Sequence, residues 1–97
     1  MRLSAYYQQT IINETQRLFG ITACVYLFGS RVDDTKKGGD IDLYIETTRQ
    51  ENLFDKKIAL LMALHKQLGE QKIDIIINDF SQEKMIYTIA KQTGIKL

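Results

Sequence analysis

Two aspartates separated by a single residue are the first feature of the chain that could carry chemistry. Asp40 and Asp42 belong to an alternating segment whose other half is Ile41, Leu43 and Ile45. Side chains two apart on a strand project from the same face, so the two carboxylates are predicted to lie together. Carboxylates held close raise each other's pKa unless a cation lies between them. The pair therefore indicates a site for a divalent metal ion.

Further candidate site residues lie on either side of this pair. Asp74 is set in the apolar segment Lys72–Ile77, a poor place for an unpaired charge, and it is predicted to be a third metal ligand. Gly29-Ser30 ends another apolar segment, where backbone amides can approach and hold phosphate oxygens. Arg31 is a candidate for a phosphate contact or for a surface role. Tyr44 is expected in the core or an interface, with the border of a nucleotide as the alternative. Since Mg²⁺ prefers carboxylate oxygens and phosphates, the set predicts a Mg-nucleotide site.

The elements that must position these residues follow from the apolar periodicity and the glycines. The sequence predicts six of them, in the order helix 5–19, strand Thr22–Phe28, strand Asp40–Glu46, helix 49–68, strand Lys72–Ile77 and a helix from Ser81 to about Lys91.

The same periodicity predicts how the helix ends are capped and which helix face is buried. Ser4 and Gly20 suit the two ends of the first helix, and Thr48 with Glu51 form a possible capping box for the second. The spacing of Phe80 and Met85 suits a hydrophobic staple on the third helix. The predicted buried stripe of the second helix consists of Phe54, Ile58, Leu61 and Leu68.

These elements predict a single α/β (α+β) domain over residues 1–97, with helices packed on a small mixed sheet of three or slightly more strands. A helix joins the second and third strands, so they are expected to be parallel neighbours. A short connection joins the first and second, which favours an antiparallel pair. This arrangement would bring Gly29-Ser30, Asp40–Asp42 and Asp74 to one edge of the sheet.

Composition limits the classes of partner. Lys plus Arg number 13 and Asp plus Glu 12, so the formal net charge is +1 and no basic excess favours direct contact with nucleic acid or an anionic membrane. The single Cys24 fits a reducing compartment, and no apolar run approaches the ~18 residues of a membrane span. A soluble cytoplasmic protein is expected.

A family resemblance rests on these motifs. Phe28-Gly-Ser-Arg31, followed by Gly-Gly-Asp-Ile-Asp-Leu-Tyr-Ile over residues 38–45, resembles the signature of the polymerase-β-type nucleotidyltransferase superfamily. The chain is most similar to the minimal nucleotidyltransferases, small proteins paired with HEPN-domain partners, and the likeness extends to the terminal segment Ile86–Ile95. Many relatives carry serine before Asp-x-Asp, where this chain has Gly38-Gly39. That difference removes no metal ligand.

The resemblance implies a nucleotidyltransferase fold, a mechanism and a partner. Gly29 and Ser30, with Arg31 beside them, would hold the phosphates of ATP. Asp40 and Asp42 would coordinate two Mg²⁺ ions, and Asp74 would be the third ligand and general base. AMP would pass to a hydroxyl, in this subgroup a tyrosine of a HEPN ribonuclease toxin. The chain would then be a protein adenylyltransferase of the 2.7.7 class, acting as antitoxin within a hetero-oligomeric complex.

Two other functions fit the same residues. A binding module could neutralise its partner by occlusion and keep the motif only to bind nucleotide. A transferase acting on a small molecule such as an aminoglycoside is disfavoured, because 97 residues offer no separate domain to hold the acceptor. The sequence leaves open which nucleotide is used, how many AMP units are transferred and which residue accepts them.

Overall fold

The secondary structure follows the predicted order and adds one short strand. A computed structural model describes residues 3–33 and 39–97. Its elements are α1 (Ala5–Phe19), β1 (Cys24–Phe28), a 3₁₀ helix (Gly29–Val32), β2 (Ile41–Glu46), α2 (Leu53–Leu68), β3 (Ile73–Asn78), α3 (Met85–Thr93) and β4 (Ile95–Lys96). Gly38, which belongs to the glycine pair before the aspartates, lies outside the described residues.

The four strands form one mixed sheet, in the order β3-β2-β1-β4. β2 is parallel to β3, and β1 is antiparallel to both β2 and β4. The predicted pairings and the α+β class with a small mixed sheet are therefore confirmed. In the part of the chain that the structure describes, no helix combines the length and apolar character needed to cross a bilayer.

The hydrophobic core lies between α1, α2 and one face of the sheet. Alternate residues of β2, namely Ile41, Leu43 and Ile45, have no exposed surface and join the same apolar cluster as Ile11 of α1 and Leu60 of α2. The strand period of two selects this face, as the sequence predicted. The other set, which contains Asp42 and Tyr44, is consequently turned to the opposite face of the sheet.

α1 begins and ends where its sequence predicts. The Ser4 hydroxyl accepts a hydrogen bond of 3.1 Å from the Tyr7 amide, which satisfies one of the free N–H groups of the first turn. At the other end Gly20 has a φ of +107°, and its amide donates to the Gln16 carbonyl at 2.9 Å. The predicted helix 5–19 is confirmed.

The predictions for α2 are wrong in two respects. The helix begins at Leu53, and Asn52 precedes it in the left-handed conformation with no capping side chain. Thr48 and Glu51 form no capping box, since the Thr48 hydroxyl instead accepts a hydrogen bond of 3.3 Å from the side-chain Nε2 atom of Gln50. The buried residues are Leu60, Leu64 and Leu68.

Of the predicted α2 stripe only Leu68 is buried. Phe54 is 70% exposed, Ile58 is 39% exposed, and Leu61 is half-buried. α2 carries apolar side chains around most of its circumference, so periodicity alone could not identify the face that meets α1 and the sheet. Phe54, Ile58 and Met62 are four residues apart and form an exposed apolar stripe on the outer side of the helix.

α3 begins later than predicted, since Ser81, the expected cap, lies four residues before its first residue. Its first residue is Met85, and Ser81 does not cap it because the Ser81 amide and hydroxyl both donate to Asp79 Oδ1. Phe80 and Met85 form no staple, as they are 68% and 80% exposed. The Asp79 turn uses the capping serine locally, which is a common competitor of helix initiation.

A polar network holds α3 against the face of the sheet opposite α1 and α2. The buried Tyr44 hydroxyl donates to Glu46 Oε2 at 2.8 Å and accepts from Asn78 Nδ2 at 3.1 Å. Glu46 Oε1 in turn lies 3.1 Å from Lys91 Nζ on α3.

The rings of Tyr26 and Tyr87 flank the Tyr44 ring, and their centroids lie 5.7 and 5.8 Å from the Tyr44 centroid. Burial is the main cause that raises the Tyr44 pKa to about 12.

We predict that Tyr44→Phe lowers the free energy of unfolding by about 1–3 kcal/mol, because Asn78 and Glu46 lose a buried hydrogen-bond partner. Urea denaturation at neutral pH measures the loss. Wild-type stability should also fall as pH rises from 10.0 to about 12, since the unfolded chain releases the Tyr44 proton before the folded protein does. Tyr44→Phe should remove that part of the alkaline loss.

The control for this substitution is Tyr26→Phe. Tyr26 packs on the same ring, but its hydroxyl makes no hydrogen bond with the described residues. Equal losses for the two variants would mean that the hydrogen bonds of the Tyr44 hydroxyl contribute nothing specific to stability.

Candidate active site

The strand register aligns three side chains at the open end of the sheet. Phe28 of β1 is opposite Asp42 of β2, and Asp42 is opposite Asp74 of β3. The neighbouring position places Asp40 level with Lys72, and the Ile41 amide donates to the Lys72 carbonyl at 3.1 Å. Asp42 and Asp74 are therefore brought together by backbone pairing, as the sequence predicted.

Gly29 lies directly against the Asp42 carboxylate. It follows β1, opens the 3₁₀ helix and has a φ of +77°. A Cβ atom at this position would lie 2.2 Å from Asp42 Oδ2, so only glycine leaves room for that carboxylate. The Gly-Ser motif predicted that the backbone approaches a ligand closely at this point. The group that the Gly29 backbone approaches in the structure is the Asp42 carboxylate.

The electrostatics of the site centre on Asp42. Burial is the main cause that raises its pKa, and the negative charges of Asp74 and Asp40 raise it further. A side-chain hydrogen bond with Asp74 acts in the same direction, while the positive charge of Lys72 lowers the pKa. Asp42 thus holds a proton more readily than an isolated aspartate would.

Asp40 forms an ion pair with Lys72. Its Oδ2 atom lies 3.4 Å from Lys72 Nζ, and both side chains are well exposed, at 43% and 71%. Within residues 3–33 and 39–97, no three acidic, histidine or cysteine side chains stand together in an arrangement that could hold a metal ion. The structure therefore brings Asp42 and Asp74 together and leaves Asp40 beside them, paired with Lys72.

Lys72 is a neighbour of the site that sequence reasoning missed, since its charge appeared to be that of an ordinary solvated lysine. The position of Lys72 beside Asp40 could nevertheless have been predicted from the strand pairing. Once β2 and β3 are taken as parallel and Asp42 is opposite Asp74, position 72 must lie opposite position 40 on the same face.

The remaining predicted residues lie at the ends of the loop between β1 and β2. Ser30 and Arg31 are half-buried residues of the 3₁₀ helix that follows β1. The Arg31 Nε atom donates to the Gly39 carbonyl at 3.3 Å, which ties the helix to the residue before Asp40. Their contact with phosphate stays a prediction. Tyr44 is only 1% exposed, so the expected core position is confirmed and the alternative, the border of an open nucleotide site, is not.

A comparison with protein families decides the class of this site. The family model for the polymerase β nucleotidyltransferase domain matches residues 9–96, nearly the whole chain. The chain belongs to this nucleotidyltransferase family. No curated protein matches it in a sequence search. The protein is accordingly a transferase domain of the general 2.7.7 type, in a family that generally uses Mg²⁺ and a nucleoside triphosphate.

The residues present fit a magnesium ion. Asp42 and Asp74 offer adjacent carboxylate oxygens, the ligand type that Mg²⁺ prefers. The raised pKa of Asp42, caused first by burial and then by the charges of Asp74 and Asp40, marks a place where positive charge is favoured. Asp40 is one position away on the same strand face and would need only to leave Lys72. When bound, the ion would neutralise phosphate charge and orient the triphosphate.

We predict that Gly29→Ala destabilises the protein by about 1–3 kcal/mol more than Gly69→Ala does, because the added methyl group overpacks against Asp42. Both glycines have a positive φ, but a Cβ at Gly69 would meet nothing within 4 Å. Gly69→Ala therefore measures backbone strain alone. Thermal and urea unfolding of the two variants give the difference.

A second substitution identifies the side chain responsible. Asp42→Ala should relieve the clash, so the double variant Gly29→Ala/Asp42→Ala should be more stable than the sum of the two single changes predicts. Strict additivity would show that Gly29 and Asp42 are not in contact.

Asp42→Asn should raise the melting temperature of the metal-free protein at pH 7 by about 1–3 °C, a small gain because solvent screens a partly exposed carboxylate. Its raised pKa means that ionised Asp42 opposes folding once the pH exceeds the folded-state pKa. The gain should therefore shrink as the pH falls to about 4, where the unfolded chain also binds the proton.

Scanning calorimetry in a chelator, over a series of pH values, makes this measurement. Asp55→Asn, at an exposed position on α2, is the matched control for the loss of one negative charge. A lower melting temperature for Asp42→Asn at pH 7 would contradict the assigned direction of the pKa shift.

Proposed function

We propose that this protein transfers AMP from Mg-ATP to a hydroxyl group of a partner protein in the cytoplasm. The partner is a HEPN-domain ribonuclease toxin, the accepting group is a tyrosine hydroxyl, and the modification silences the toxin. The observation that carries the proposal is the meeting of Asp42 and Asp74 across β2 and β3, with Gly29 against the Asp42 carboxylate. Membership of the nucleotidyltransferase family supports the transfer chemistry.

Each residue has a defined part in the proposed reaction. The amides that follow Gly29, together with the Ser30 hydroxyl and Arg31, would hold the phosphates at the start of the 3₁₀ helix. Asp42, Asp74 and Asp40 would hold Mg²⁺, which supplies charge neutralisation and an orienting template for the triphosphate. Gly29 maintains the position of Asp42 by leaving space for its carboxylate.

The transfer itself is a displacement at the α-phosphorus. The acceptor hydroxyl oxygen forms a bond to phosphorus, the bond between the α-phosphorus and the bridging oxygen breaks, and pyrophosphate leaves with that electron pair. The hydroxyl proton passes to Asp74, the general base of the proposal. Asp74 suits this role because it is the exposed member of the aspartate pair, within reach of a group approaching from solvent.

Two observations favour a protein acceptor. The site lies at an open end of the sheet, with Asp74 exposed and Asp40 43% exposed, so a bulky acceptor can reach it. The surface also carries large apolar side chains, including the stripe formed by Phe54, Ile58 and Met62 on α2. Exposed apolar side chains grouped on one face are typical of protein interaction surfaces.

The same apolar stripe would also serve a protein that acts by occlusion alone. The two functions differ in what they require of the aspartates, because occlusion needs no carboxylate at position 42 or 74. An experiment that separates binding from modification therefore decides between them.

We predict that incubating a purified HEPN partner with this protein, Mg²⁺ and ATP increases the intact mass of the partner by one or more AMP units. Asp42→Asn and Asp74→Asn should each lower the rate by about 10²-fold or more, since they remove a metal ligand or the general base. Intact-mass spectrometry over a time course gives the rates.

Asp55→Asn is the control, and it should modify the partner at the wild-type rate. A pull-down made in parallel should show that Asp42→Asn still binds the partner. If the partner's mass never changes while Asp42→Asn protects cells as well as wild type, catalysis is excluded and occlusion stands.

A further inference from the structure

Lys72 contacts the candidate metal site from the neighbouring strand. The parallel register places it level with Asp40, and its Nζ atom lies 3.4 Å from Asp40 Oδ2. The Lys72 backbone is fixed, because its carbonyl accepts the Ile41 amide at 3.1 Å. Its side chain is 71% exposed, so the ammonium group can leave the carboxylate without unpacking anything.

This contact sets Asp40 apart from the other two aspartates of the site. Asp42 and Asp74 lie opposite each other on β2 and β3, whereas Asp40 is paired with Lys72. Correspondingly, the described residues contain no group of three acidic, histidine or cysteine side chains placed to hold a metal ion. The Oδ2 atom of Asp40 can act as a ligand only when it exchanges the ammonium group for the metal ion, because the two cations cannot occupy the same carboxylate oxygen together.

We propose that Lys72 is a positioning residue that holds Asp40 in the metal-free protein and competes with the divalent ion for that carboxylate. The lysine keeps the Asp40 carboxylate next to the site while limiting the affinity for the metal. This inference rests on the metal-binding role that the proposed function gives to Asp40.

The test is the affinity of the protein for Mn²⁺ alone, measured without nucleotide by electron paramagnetic resonance of the free ion at pH 7.5. Lys72→Gln should bind Mn²⁺ about two- to fivefold more tightly than wild type, the range expected for removal of an exposed ion pair. Lys72→Arg keeps a competing cation and should bind no more tightly than wild type.

Lys57→Gln is the matched control. Lys57 of α2 lines a pocket together with Asp74 beside β3, and Lys57→Gln removes the same charge as Lys72→Gln. Within the described residues no ion pair joins Lys57 to an aspartate of the site. It should change the affinity much less than Lys72→Gln does. The advantage of Lys72→Gln should also shrink when the salt concentration rises from about 0.05 M to about 0.5 M, because salt screens exposed pairs.

Unchanged or weaker Mn²⁺ binding by Lys72→Gln would overturn the inference, as would an equal effect of Lys57→Gln. Either result with AMP transfer intact leaves the proposed function standing. Conversely, if Lys72→Gln binds Mn²⁺ more tightly as expected but no AMP is transferred, only the proposed function is overturned. Absence of Mn²⁺ binding by the wild-type protein would overturn this inference, whereas the proposed function is overturned only by the absence of AMP transfer.

Discussion

The parallel pairing of β2 with β3 is the constraint on which the rest of the site depends. Hydrogen bonds from Ile41 to Lys72 and from Thr47 to Asn78 fix its two ends. A shift of one residue would turn Asp42 into the apolar core and Ile41 toward solvent, a change that the buried face of β2 forbids. The requirement to bury Ile41, Leu43 and Ile45 therefore also holds Asp42 opposite Asp74.

This constraint has an electrostatic cost that is confined to one end of the sheet. Asp42 and Asp74 cannot separate without breaking the strand pairing, so the charge of Asp74 adds to the effect of burial and the pKa of Asp42 rises. Gly29 gives the Asp42 carboxylate its space on the opposite side. A site that is unfavourable for carboxylates alone and is held by backbone hydrogen bonds is prepared to accept positive charge.

Sequence reasoning succeeded where one physical rule acted alone. Alternation identified β2 and its buried face, and the connection lengths gave both strand pairings, which together predicted the meeting of Asp42 and Asp74. It failed where several rules competed. α2 is apolar on most sides, so its buried face depends on how α1 packs, and Ser81 could cap α3 or join the Asp79 turn. Lys72 was overlooked because a single lysine is unremarkable until the register places it beside Asp40.

The polar face of the sheet is divided into a closed half and an open half, and the division explains where chemistry is possible. In the closed half α3 covers Tyr44, whose hydroxyl is fully satisfied by Glu46 and Asn78. In the open half the carboxylates of Asp42 and Asp74 have too few partners to be buried, since an uncompensated charge under a helix would destabilise the fold. α3 can therefore cover only the half in which every polar group finds a protein partner. The carboxylates must remain at the open end, where a metal ion, a nucleotide and an acceptor can reach them.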